Sequence, residues 1–407
     1  MLHHQFPSNS IKVDAVENIY TTGYFEGTVD FDPNSGIYNL ISPPSNQTIF
    51  VSKLDASGNL IWAKSMGGPD VEIGTSIDID TLGNVYTTGW FTYTVDFDPG
   101  IGVVNFTSNG DADIFISKLD SSGNFIWTKT MGGTGWDVGR SIAIDHSGNV
   151  FTTGNFRLTT DFDPGPAIFN INAIGNDDIY ISKLDANGNF IWAKALSGWA
   201  GEIGMSVTTD FAGNVYTTGW FVYTVDFDPG IGVFNVSSVG LQDIFISKLD
   251  KNGNFLCVGT MGSTTNDIGY SISLDKGGNI YSTGSFMGIT DFNPSNTMMF
   301  NITPVGNTDI FISKLSQSCL GTGLSENNIN SNQLIIYPNP VSNILYFEQD
   351  LNIFKNSIIE IINTLGQTVL KLPYSNQIDV SKISKGIFYL KITTQDSQTY
   401  LSKFIKA

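Results

Sequence analysis

A unit of about 65 residues recurs five times in fixed register, which limits the chain to architectures built by stacking equal modules. The string D-F-D-P begins at Asp30, Asp96, Asp161 and Asp226 and returns as D-F-N-P at Asp291. In step with it, S-K-L begins at Ser52, Ser117, Ser182, Ser247 and Ser313. Gly-Asn followed by Val or Ile begins at Gly83, Gly148, Gly213 and Gly278, with Glu17 at the first place. Copies so evenly spaced are neighbouring supersecondary units, not separate domains.

The third copy shows what one unit folds into. Residues 141–145 alternate as a strand, 146–149 form a Gly-containing turn, and 150–156 form a second strand. A long segment with D-F-D-P follows, holding a short extra strand at 168–171. Residues 178–184, a turn at 185–189 and residues 190–196 complete the unit. Four antiparallel strands predict a propeller blade. Residues 243–249 (D-I-F-I-S-K-L) carry apolar side chains on both faces, as a blade covered on both sides requires. Phe25, Phe91, Phe156, Phe221 and Phe286 hold equivalent places and are expected between blades. In such a meander the D-x-x-G-N turns lie on one side and the longer D-F-D-P and M-G-G loops on the other. Function is expected on the longer loops.

The fourth strand follows only copies one to four, starting near Leu60, Phe125, Phe190 and Phe255. Copy five breaks off after Ser316, and residues 1–9 hold no copy of the missing strand. The expectation is a ring closed about a central axis, with the natural protein continuing upstream into a closing strand and a secretion signal. Residues 1–7 themselves lack the basic start and apolar core of a signal peptide.

Charge narrows the partners. Twenty Lys and Arg against 38 Asp and Glu give a net charge of −18, which argues against nucleic acid and leaves cations or neutral ligands such as sugars. No apolar run is long enough for a membrane span. Two cysteines, Cys257 and Cys319, are too few to build the fold from disulfides.

Four pairs of acids, Asp30 and Asp32, Asp96 and Asp98, Asp161 and Asp163, Asp226 and Asp228, project to one side of an extended chain, as calcium ligands would. The alternative is that they accept backbone N–H groups and shape a turn. Glu72, Asp137, Glu202 and Asp267 precede the first strand of copies two to five and are expected near the axis, ringing a channel mouth; the alternative is local capping. Trp90 and Trp220 end the second strand in copies two and four, with Tyr93 and Tyr223 close by; they suit stacking on a ligand or burial in the core. The three histidines, His3, His4 and His146, make neither a triad nor a zinc set.

The repeated S-I-x-x-D-x-x-G-N-V-Y-x-T-G, D-F-D-P and D-I-F-I-S-K-L-D-x-x-G-N strings over residues 10–316 resemble the SBBP-type bacterial β-propeller repeat. A polar linker, 317–332, follows. Residues 333–407 read as a small β-sandwich and resemble the type A sorting domain of the Bacteroidetes type IX secretion system. The resemblance rests on Tyr337-Pro338-Asn339-Pro340, the turn at Gly366, Gly386 before an alternating strand, and Lys403 near the end. It implies recognition by the type IX secretion machinery and delivery to the cell surface or medium. The expectation is therefore an all-β, exported, non-enzymatic binding or adhesion protein with a glycan or protein ligand and calcium as its one candidate cofactor. The rival classes are a secreted polysaccharide hydrolase or lyase and a structural spacer.

Overall fold

Nine short turns set the register of the repeats. Asp185 shows how: its Oδ1 accepts the N–H groups of Asn187 (2.8 Å) and Asn189 (2.9 Å), and its Oδ2 accepts the Asn189 side-chain amide at 2.8 Å. Gly188 supplies the left-handed backbone, φ +77°, that lets the chain reverse. The same bonds recur at Asp14, Asp55, Asp80, Asp120, Asp145, Asp210 and Asp250, and at Asp275 with Asn279. The side-chain amide and the N–H of Asn59 hold the Asp55 carboxyl below its ordinary value. These D-x-x-G-N turns are structural.

The computed structural model describes residues 7–43, 46–294, 299–316, 336–337, 340–347, 357–363, 367–375, 377–393 and 399–406. They are all β, with no helix among them, and fall into two compact units, 1–323 and 324–407. The first blade pairs Ser8–Val13, Ile19–Phe25, Thr48–Leu54 and Leu60–Met66 as an antiparallel meander. The second repeats it with Glu72–Ile79, Val85–Phe91, Asp113–Leu119 and Phe125–Gly133. Val138–Ile144, Val150–Phe156, Asp178–Leu184 and Phe190–Gly198 form the third. Ile203–Thr209, Val215–Asp226, Asn235–Leu249 and Phe255–Met261 form the fourth. The extra strand seen in the sequence pairs as a small hairpin, Thr159–Asp161 with Asn170–Asn172 in blade three.

Alternation along the third strand binds blade to blade. Ile114 and Ile116 pack forward onto Ile142, Val150 and Phe156 of the next blade. Phe115 and Leu119 pack backward onto Val51, Trp62 and Met66 of the previous one. Each such side chain is almost fully buried, worth about 1.5–3 kcal/mol. A polar seam runs along the first strands. The hydroxyls of Ser10, Ser76, Ser141 and Ser206 accept the N–H of Ile77, Ile142, Val207 and Ile272 in the following blade, at 3.1–3.3 Å.

The ends depart from the expected closed ring. Among the described residues the fifth blade has three strands, Ile268–Leu274, Ile280–Phe286 and Asp309–Leu315, so the last strand keeps an open edge. Ile310 and Ile312 on its forward face and Ile11 and Val13 on the rear face of blade one are exposed, where their counterparts in the interior are covered. Face-to-face blade packing is as read from the sequence. Among the described residues blade five does not close onto blade one, and neither end face meets another blade.

The C-terminal unit is a two-layer sandwich. Ile336–Tyr337, Ile344–Phe347 and Gln377–Asp379 make one sheet. Thr368–Pro373, Ile358–Asn363, Gly386–Thr393 and Thr399–Lys406 make the other. Leu345 and Ile378 from the first meet Ile359, Ile361, Leu390 and Phe404 from the second in one buried core. Tyr337 lies in the opening strand, Pro340 is exposed just after it, Gly386 opens the longest hairpin at φ +153°, and Lys403 lies in the last strand. Pro338, Asn339 and Gly366 lie outside the described residues, as does Cys319; Cys257 is buried in the core of blade four.

Candidate functional site

The D-F-D-P carboxylates build their own loops. Asp96 Oδ1 accepts the N–H of Asp98 (3.0 Å) and of Val104 (2.8 Å), and Asp98 Oδ1 accepts the N–H of Gly100 at 2.8 Å. Asp30, Asp161 and Asp226 repeat the first role, each taking two backbone N–H groups, and Asp291 does the same in blade five. Asp32, Asp163 and Asp228 repeat the second: their Oδ1 atoms accept the N–H of Asn34 (2.9 Å), Gly165 (2.8 Å) and Gly230 (2.8 Å).

Of the two readings of Asp30, Asp32, Asp96, Asp98, Asp161, Asp163, Asp226 and Asp228, calcium ligands or turn acceptors, these bonds match the turn acceptors. A backbone N–H group occupies one oxygen, Oδ1, of every one of these carboxylates. Among the described residues no group of three or more His, Cys, Asp or Glu is gathered for a metal.

Glu72, Asp137, Glu202 and Asp267 are fully buried, which corrects the expected ring at a channel mouth. Each sits instead at a blade junction. Three of them face an acid that opens the preceding blade's third strand: Asp137 with Asp113, Glu202 with Asp178, and Asp267 with Asp243. Gly132 and Gly262 leave the room that the Asp113 and Asp243 carboxyls fill. Burial first, then the neighbouring carboxylate, pushes Asp113 and Asp243 up to about 7 and Glu202 to about 8. Glu72, beside Thr48, is raised to about 7 by burial. Asp137 rises less, to about 6, because burial is opposed by bonds from the Arg157 N–H (3.0 Å), the Thr160 hydroxyl (3.0 Å) and the Gly133 N–H (2.8 Å). The longer Glu72 and Glu202 make no well-formed hydrogen bond; N–H groups of Gly68 and Asp70, and of Gly198 and Ala200, lie near enough only to moderate the shift.

The long-loop side carries a different arrangement. The link into blade three runs parallel to the segment before the third strand of blade two, pairing Trp136 with Ala112, and the Asp137 N–H donates to the Ala112 carbonyl at 2.8 Å. That places the Trp136 ring 5.0 Å from Trp90, tilted by 52°. Asp70, Val71, Thr92, Tyr93 and Asp111 complete a cavity of about 350 Å³ around the two indoles. A second cavity, about 450 Å³, shares Trp136 and Asp111 and adds Arg157, Leu158, Asn176 and Asp177. Arg157 is held by two bonds of 2.9 Å to Asp177, whose Oδ1 also accepts the Asn155 amide; Asn155 in turn accepts from Arg140 at 2.9 Å.

Tyr93 is 64% exposed and adopts φ +53°. The equivalent turn position is left-handed in every blade: Gly27 and Gly288 occupy it at the two ends, and Leu158 (φ +59°) and Tyr223 (φ +59°) in blades three and four. An L side chain there costs about 1–2 kcal/mol. In blades two and three the costly residues are those that line the two cavities.

The sequence reading found Trp90 and noticed Tyr93. It missed Trp136 and Arg157, although Arg140 and Arg157 are the only arginines in the chain and both fall in copy three. Trp220 is half-buried on blade four and lines neither cavity. A larger cavity of about 530 Å³ follows the open edge of Asp309–Leu315, where the other blades carry their fourth strand.

Part of the chain is similar to curated proteins. It is 27% identical over 247 residues to the uncharacterized WD repeat-containing protein L264 of Acanthamoeba polyphaga mimivirus, covering 53% of this chain and 18% of that one. It is 26% identical over 137 residues to the regulatory protein FlaEY of Caulobacter vibrioides, covering 34% and 14%. The chain thus spans less than a fifth of either relative. Among solved structures, the extracellular domain of BT4673 from B. thetaiotaomicron aligns over 99% of this chain and 55% of its own at 12% identity, with a TM-score of 0.23. That of BT3049 aligns over 97% and 72% at 10% identity, with a TM-score of 0.14; scores this low define neither fold nor role. No helix among the described residues is long and apolar enough to cross a membrane. Residues 335–407 match the family model described as a secretion system C-terminal sorting domain, so this chain ends in a sorting domain and is marked for export.

Proposed function

We propose that the protein is an exported, non-enzymatic binding module that takes a carbohydrate chain on the long-loop side of blades two and three. The observation that carries this reading is a strained, exposed Tyr93 beside the tilted Trp90–Trp136 pair, in a cavity edged by Asp70 and Asp111. Indole faces stack on the apolar faces of sugar rings, while carboxylates and a guanidinium bond the hydroxyls at their edges. Cavities of about 350 and 450 Å³ sharing Trp136 fall in the range that holds a small ligand, here a few sugar units. Asp177 keeps Arg157 ordered before a ligand arrives, which lowers the entropy lost on binding. Type IX export through the C-terminal domain would bring this surface to the glycans of the medium or the cell envelope.

Support for binding over hydrolysis comes from the acids themselves. The carboxyls pushed furthest toward neutrality lie at blade junctions and line neither cavity. The test is a glycan array probed with the full chain, followed by calorimetry on the hits. Trp136→Ala and Trp90→Ala should each weaken binding at least about tenfold, a loss of about 1.4 kcal/mol. Substitutions in the Asp185–Asn189 turn should leave binding unchanged. Binding untouched by both Trp variants would refute the site, and release of reducing ends from a bound glycan would make the protein a glycosidase.

A further inference from the structure

Repetition makes the two bare end faces complementary to each other. Ile310 and Ile312 are 81% and 79% exposed on blade five, while their counterparts Ile244 and Ile246 are buried under the next blade. Ile11 and Val13 are 63% and 52% exposed on blade one, while Ile77, the counterpart of Ile11, is buried. Repeat arrays normally end in polar caps, since an uncovered apolar face invites association. Neither end of this array is capped among the described residues.

We propose that blade five of one copy docks on blade one of a second copy, repeating the share of the contact that the first three strands make four times within the chain. The seam fixes the register. Ser10, Ser76, Ser141 and Ser206 accept the N–H of the residue that begins the next apolar step; Ser271, exposed on blade five, stands ready to accept that of Ile11 from the second copy. The lysines of the third strand supply a second fixed point. Lys53, Lys118 and Lys183 donate to the carbonyls of Ser121, Ala186 and Lys251 in the following blade, at 3.1–3.2 Å. By the same spacing Lys314 meets the carbonyl of Ala56. The contact is heterologous, so each association leaves one end of each kind still open.

Sedimentation velocity on the full chain tests this across a concentration series. Assemblies that grow with concentration and do not stop at the dimer are expected, unless the run closes on itself at a fixed number. Ile11→Asp blocks one end; Ile310→Asp with Ile312→Asp blocks the other. Both should be monomeric alone, with their association weakened at least about tenfold. Mixed one to one, they should give a single heterodimer and nothing larger, since each supplies the end the other lacks. All three positions are exposed, so the variants should melt with the wild type; a milder Ile310→Ser, Ile312→Ser pair serves if they do not. A wild-type chain that stays monomeric at high micromolar concentration overturns the proposal. So does a variant blocked at one end that still self-associates.

Discussion

Asp185 and Glu202 are 17 residues apart, and the fold treats them in opposite ways. Asp185, in a turn, receives two backbone N–H groups and an amide, and its carboxyl is stable as an anion. Glu202, at a junction, is sealed from water opposite Asp178 without a well-formed bond, and burial together with that neighbour drives it toward the neutral acid. The Asp185 turn satisfies its acid, whereas Glu72 and Glu202, the two longest side chains at the junctions, are left without such bonds. A surplus of acidic residues is therefore no guide to cation binding in this chain, since most of it is consumed in building turns, loops and seams.

The largest effect expected from that contrast is on stability against pH. At the junctions Glu72, Asp113, Asp137, Glu202 and Asp243 have native values raised from 3.8–4.5 to about 6–8. A raised acid means that the native state holds its proton more tightly than the unfolded state. Its contribution is complete below about pH 4 and is lost as pH climbs toward 8. Urea unfolding should therefore show a more stable protein at pH 5 than at pH 8, by about 1–3 kcal/mol for each of these acids. Glu202→Gln should flatten its share of the slope, and a stability that rises over this interval would contradict the junction assignment.

Next in size is the room left for these acids. A methyl group at Gly132 would collide with the Asp113 carboxyl, whereas one at Gly201 would meet nothing. Gly132→Ala should cost about 1–3 kcal/mol in thermal or urea unfolding and Gly201→Ala close to nothing. Equal costs would mean that the junction yields. On the turn side, Asp250→Ala removes the acceptor of Asn252, Asn254 and the Asn254 amide and should cost about 1 kcal/mol. That loss should not vary between pH 6 and 8, unlike the junction effects. The smallest change has the opposite sign: Tyr93→Gly relieves a left-handed side chain and should stabilise the fold by up to about 1 kcal/mol while weakening glycan binding. A variant that gained stability and kept full binding would remove Tyr93 from the site.

Much of the fold was legible because the repeat states each feature several times. The turns are the clearest case, since Asp, Gly and Asn each have a local role that needs no distant partner. The junction acids were visible as a recurring column but misplaced, because burial depends on the neighbouring blade and leaves no mark at the residue itself. The extra hairpin and the sandwich followed from alternation. Trp136 escaped for the reverse reason: Val71, Gly201 and Asn266 stand at its place in other copies, so no column draws attention to it. Only the parallel pairing with Ala112 brings it to Trp90, 46 residues earlier. What repeats here builds the scaffold, and what interrupts the repeat forms the candidate site.

The serine seam carries an evolutionary consequence. Since every hydroxyl reaches for the same amide one unit onward, a crossing-over that deletes or duplicates a whole 65-residue unit rejoins two surfaces that already match. Blade number can then drift by recombination with little thermodynamic resistance, while a break inside a unit would strand half a seam. Kin of this chain should differ in length by whole modules.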